Sequence, residues 1–82
     1  MATKEQIERL KAIEKVQNKG RGVCCVRDII MFLEKGMDAE ALGICRGEND
    51  KIRNYPDVQV VLYEIFPEYK ADFEKLRKLF GW

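Results

Sequence analysis

Histidine is absent from all 82 residues. With it go the commonest general base, the usual activator of a serine or cysteine nucleophile and the commonest metal ligand, so the chain reads as a non-enzyme. Excess charge of one sign is also missing. The 15 lysines and arginines face 14 aspartates and glutamates, and a net charge of +1 sets up no global field to gather nucleic acid or an anionic membrane. No run comes near the roughly 20 apolar residues that span a bilayer. The opening stretch MATKEQIERLK lacks the charged-then-apolar plan of a secretory signal, and the expectation is a cytoplasmic protein that does not touch membrane.

Cysteine is scarce and badly placed for chemistry. Cys24, Cys25 and Cys45 are odd in number and have no export signal beside them, which argues for reduced thiols. Neighbouring residues on a helix point about 100° apart, so the Cys24-Cys25 pair is not a metal knuckle, and no metal site is expected. Neither a Walker-type loop nor a GxGxxG run is present, and Gly20-Arg21-Gly22 alone makes no phosphate cradle. The sequence therefore implies no cofactor and no small-molecule substrate.

What is present is an ordinary core-forming complement, 46% hydrophobic and 35% charged, which fits one globular domain over residues 1–82. A chain this short buries only about 60–65% of its unfolded surface. Sharing the core with a second copy, as a homodimer, is one way to bury more.

Thr3 and Gln6 form a capping box, and Ile7, Leu10, Ile13 and Val16 recur at helical spacing, so a first helix is predicted from about Lys4 to Asn18. Asn18-Lys19-Gly20 supplies its stop. The most continuous apolar run follows, from Val23. Val23, Val26, Ile30 and Leu33 form a helical stripe that Cys25, Ile29 and Phe32 widen, which predicts a central apolar helix over about 23–35, closed by Gly36. Asp38 suits the N-cap of a short third helix, Ala39 to about Cys45, and Lys51 to Asn54 adds a further turn. For 58–66 a helix opened by Pro56 is expected, on the stripe Val58, Val61, Leu62, Ile65 and Phe66, with a strand as the alternative because Val58, Val60 and Leu62 also alternate. Pro67 bends the chain, and Tyr69, Phe73, Leu76 and Phe80 mark a last helix, Glu68 to Phe80, whose aromatics are expected to close the core. The predicted fold is all-α: a compact single domain of four or five short helices around the apolar helix at about 23–35.

One stretch has the character of a motif. In Gly36 to Arg46, Ala39 offers a small contact residue, Gly43 four residues later a turn, and Leu42 and Ile44 apolar flanks, with Ile52 as a later core residue. This pattern resembles the helix-turn-helix of DNA-binding regulators. The resemblance implies that Arg46, Asn49, Lys51, Arg53 and Asn54 face a groove or phosphates. Asp38 and Asn49 depart from it, standing where the pattern is apolar. The segment 20–55 also balances six cations with six anions, whereas DNA readers carry a basic face.

Trp82, past a glycine at the chain end, is the best marker of a docking surface, and Tyr55 and Tyr63, off the main stripe, extend it. The leading expectation is a regulator- or inhibitor-type module that binds a protein partner or itself. A helix-turn-helix-like nucleic-acid binder using 38–54 is the alternative.

Overall fold

The computed structural model describes residues 2–17 and 24–82. The expected stop at Asn18-Lys19-Gly20, the Arg21-Gly22 turn and the Val23 helix start lie outside the described residues. Six helices and no strand make up the described chain: α1 (Lys4–Gln17), α2 (Cys24–Glu34), α3 (Asp38–Gly47), α4 (Asn49–Ile52), α5 (Pro56–Ile65) and α6 (Pro67–Phe80).

The local signals act where the sequence places them. Thr3 Oγ1 accepts the Gln6 N–H at 3.1 Å and Gln6 Oε1 accepts the Thr3 N–H at 2.9 Å, so two free helix-end donors are satisfied reciprocally. Gly36 turns left-handed at φ 72° and ends α2 in a Schellman motif. In it the Met37 N–H reaches Phe32 O at 2.8 Å and the Gly36 N–H reaches Leu33 O at 3.1 Å. Met37 then accepts from the Ala41 N–H at 3.1 Å and opens α3. That double duty moves the N-cap from Asp38, where the sequence suggested it, to Met37. Asp38 is the first helical residue, and with Glu40 it still puts negative charge in the first turn.

Segment 58–66 is helical. Val58, Val61, Leu62 and Ile65 are buried while Val60 is 52% exposed, which a strand with Val58, Val60 and Leu62 on one face would not allow. Phe66 takes the extended φ −125°, ψ 84° that a following proline favours, and Pro67 starts α6 as its first residue.

Packing converts these elements into a closed ring. α2 lies on α1 and α3, α5 lies on α1 and α6, and α6 returns to α3, with α4 bridging α3 to α5. Inside are Leu10 of α1, Val26 and Ile29 of α2, Ala41 and Cys45 of α3, Ile52 of α4, Val58 and Leu62 of α5, and Tyr69 and Phe73 of α6. The result is a flattened body of 32 × 30 × 17 Å. Val16, expected on the buried stripe, stands in solvent because the last turn of α1 runs past this interior. No described helix is long and apolar enough to cross a membrane.

Ion pairs bridge the joints of the ring. Arg9 meets Glu64 across α1 and α5 at 2.8 Å, Lys11 meets Glu34 across α1 and α2 at 2.8 Å, and Arg46 meets Asp72 across α3 and α6 at 2.8 Å. Hydrogen bonding from Arg9 holds the Glu64 carboxyl below the usual range. Exposed pairs of this kind set the register of neighbouring helices more than they stabilise them.

If the ring interior carries the stability, Ile29→Ala, at a fully buried site, destabilises by on the order of 2–5 kcal/mol in urea unfolding. Met31→Ala, on the exposed side of the same helix, costs less than about 1 kcal/mol.

Candidate functional site

The end of α6 builds the most distinctive surface. Gly81 turns left-handed at φ 70° and the Trp82 N–H donates to Arg77 O at 3.0 Å, the six-to-one bond of a second Schellman motif. The last residue is thereby folded back over its own helix. Its ring centroid lies 5.8 Å from Phe73 and 5.4 Å from Phe80, the latter stacked at 25°. From the turn between α4 and α5, Arg53 places its guanidinium carbon 4.7 Å from the Trp82 centroid. Behind this group, Tyr63 stands 6.2 Å from Phe73 and 5.8 Å from Tyr69. Aromatic spacings in this range are attractive, and they connect the buried Tyr69 to the surface at Phe80.

Between α5, α6 and the α4–α5 turn lies a cleft of about 320 Å³ lined by Arg53, Asn54, Gln59, Tyr63, Phe73, Arg77 and Trp82. None of the seven is acidic. Burial pushes the Tyr63 phenol up, the Arg77 charge acts in the opposite direction and the Glu74 charge adds to the rise, which marks both as neighbours of the tyrosine. Glu74 stands at the rim, in an adjoining concavity with Arg77, Lys78 and Trp82. Arg53 bonds to the Asp50 carbonyl at 3.3 Å through Nε, and its two terminal nitrogens make no hydrogen bond among the described residues. Neither Arg53 nor Arg77 forms a salt bridge among the described residues. On the last turn of α6, Leu79 and Phe80 are 75% and 60% exposed. Phe80, expected in the core, stacks on Trp82 instead, because α6 extends beyond the interior of the ring.

The structure brings together four residues that the sequence assigned to different readings. Trp82 and Tyr63 share the cleft with Arg53 and Asn54, whereas Tyr55 lies outside it, half-buried against the core at the start of α5. The remaining candidates are engaged elsewhere. Arg46 pairs with Asp72, and Lys51 pairs with Glu48 at 3.2 Å. Asn49 is only 8% exposed and its amide donates to Arg46 O at 2.9 Å, so it is not a groove-facing side chain. The helix-turn-helix geometry also fails locally. Gly43, the required turn residue, lies inside α3 without a positive φ, and the helix continues to Gly47. An uninterrupted hydrogen-bond ladder from Asp38 onward is more favourable there than a turn, because α3 can bury Ala41 and Cys45 against the core only as one continuous helix.

Arg77 and Gln59 escaped sequence reasoning. The signal for Arg77 is its position four residues before Gly81, where a glycine-ended helix returns the chain.

Two of the three cysteines are packed in the core. Cys25 and Cys45 are free and buried, and burial first, then the neighbouring Cys25, pushes the Cys45 thiol up to about 12. Among the described residues no three or more Cys, Asp or Glu gather as metal ligands. A second concavity, of about 400 Å³, lies between α1 and α5 and is lined by Arg9, Ala12, Ile13, Asp57, Val60 and Val61. Its cation, Arg9, is already paired with Glu64. Comparison with protein-family models, with curated proteins and with solved structures finds no match to this chain.

Two outcomes follow from this geometry. Gly81→Ala, which strains a left-handed position, loosens the return of Trp82 and shifts the emission of the chain's single tryptophan to the red. The Cys45 thiol, with its folded-state pKa raised, leaves stability intact below the unfolded thiol value of ~8.5. Between there and about 12 the unfolded chain loses a proton that the folded chain keeps, so stability falls as pH rises. Urea midpoints measured at pH ~8 and ~10 show this fall, and Cys45→Ala reduces it.

Proposed function

We propose that this chain is a non-enzymatic helical module that binds a protein partner through the corner formed by the end of α6, Trp82 and Arg53. The observation that carries the reading is the meeting of exposed apolar side chains with guanidiniums that reach no carboxylate among the described residues. Phe80 stands in solvent with its ring centroid 5.4 Å from Trp82, which lines the cleft with Arg53 and Arg77, and Leu79 is the exposed residue before it on α6. Tryptophan and arginine are the residue types most enriched among energetically dominant interface positions, and a preformed aromatic cluster costs little rotamer entropy on docking. The ring of helices supplies the rigidity. Trp82 is held from three sides by Phe73, Phe80 and Arg53 before any partner arrives.

Nucleic-acid binding has less support from the same surface. Arg46 and Lys51 are neutralised by Asp72 and Glu48, and a phosphate-tracking protein needs a continuous row of free cations.

Paired affinity capture from the native host tests the reading, with the wild-type chain in one arm and the Leu79→Ser, Phe80→Ser variant in the other. Both positions are exposed, so the variant keeps the wild-type urea midpoint. The expected result is a protein retained by the wild type and weakened about 30-fold by the variant, the scale of a hot-spot loss of ~2 kcal/mol. Identical captured sets, with equal affinities, would remove this corner as the docking surface.

A further inference from the structure

We infer that the cleft between α5, α6 and the α4–α5 turn recognises a carboxylate of an acidic protein segment, with Arg53 and Arg77 as its ligands and the exposed Phe80, stacked on Trp82, as the seat for the apolar residue beside it. The inference rests on the docking reading above and specifies the chemistry of the partner.

The arginines sort into two groups. Arg9, Arg27 and Arg46 each meet a carboxylate, at 2.8, 3.4 and 2.8 Å, and each does so across a joint of the ring. The two described arginines without such a partner, Arg53 and Arg77, line the same cleft. In a chain with 14 acidic residues, that cleft has none in its lining. Its remaining polar residues, Asn54, Gln59 and Tyr63, are uncharged and each carries a hydrogen-bond donor, that of Asn54 already reaching Asp50 O at 3.4 Å.

Stacking aims one of the guanidiniums. With Arg53 held 4.7 Å from the Trp82 centroid, the planar group keeps its terminal N–H donors free for an acceptor at its edge. A carboxylate matches that fork through its two oxygens. The exposed Phe80, 5.4 Å from Trp82, fits an apolar neighbour in the same segment. An acidic side chain adjacent to a hydrophobic one is therefore the chemistry that satisfies both halves of the surface.

A nucleic acid satisfies it less well. A base stacking on Trp82 has to displace either Phe80, at 5.4 Å, or Arg53. The next cations along the turn, Lys51 and Arg46, are already neutralised.

Trp82 is the single tryptophan, so its fluorescence reports on the cleft directly. The full chain is titrated at low salt with a short capped peptide of alternating glutamate and leucine, with the same peptide carrying glutamine for glutamate, and with oligothymidylate. The acidic peptide is expected to change the emission saturably and to bind at least about 10-fold more tightly than its glutamine counterpart, weakening as salt rises. Arg77→Gln, at an exposed site, is expected to lower that affinity about 10-fold with no change in the urea midpoint, and Arg77→Lys to restore part of it. Equal binding of the glutamate and glutamine peptides overturns the carboxylate assignment and leaves the docking surface standing. Tighter binding of oligothymidylate than of the acidic peptide overturns it in favour of a nucleic acid. Absence of any response to the acidic peptide also overturns it, while the capture experiment with the Leu79 and Phe80 variant judges the docking surface separately.

Discussion

Burial of one continuous apolar interior is the constraint on which the rest of this structure depends. A short chain has little volume in which to hide side chains, and here every helix surrenders at least one residue to the same space. Leu10, Ile29, Cys45, Ile52, Leu62 and Tyr69 come from six different elements and are all fully buried. Closing five helices into a ring lets short elements share a core that none could bury alone. The same closure explains why a helix as apolar as α2 ends in a full Schellman motif: the chain must reverse tightly to lay α3 against it, and the small Ala41 permits the close approach.

Around that interior the charged residues divide the labour. Pairs across the joints, Arg9 with Glu64, Lys11 with Glu34 and Arg46 with Asp72, are exposed and energetically modest, and their effect is to hold neighbouring helices in one register. Once these partners are used, the guanidiniums of Arg53 and Arg77 remain together beside Trp82. Electrostatic complementarity of that kind contributes more to choosing a partner and speeding its approach than to raw affinity. In the docking proposed above, the exposed Phe80 beside Trp82 offers apolar area to the partner.

Much of the local architecture was legible in the chain. The Thr3–Gln6 capping box, the stop at Gly36, Pro56 opening α5 and the break at Phe66-Pro67 are all steric or hydrogen-bonding instructions carried by adjacent residues, and each operates in the structure. The errors lie where two instructions compete. Gly43 looked like a turn because glycine permits one, yet permission is not a requirement, and a helix that buries Ala41 and Cys45 proceeds through it. Asp38 lost the cap because Met37 was already committed to ending α2. Phe80 belonged to the right stripe, but periodicity reports which side of a helix faces inward and not how far along it the core extends.

The candidate site shows the same division. Trp82 was recognisable from its position past a terminal glycine, and Tyr63 from its place off the main stripe. That they share a cleft with Arg53, Asn54 and Arg77 depends on α5 and α6 meeting beside the α4–α5 turn, which brings together Arg53 and Trp82, 29 positions apart in the chain. By itself the sequence determined the helical class, most helix ends and the absence of histidine chemistry, because these follow from residue type and short-range spacing. Only the tertiary structure decided which arginines were consumed by ion pairs and which were left free, because pairing is settled by distances between helices far apart in the chain.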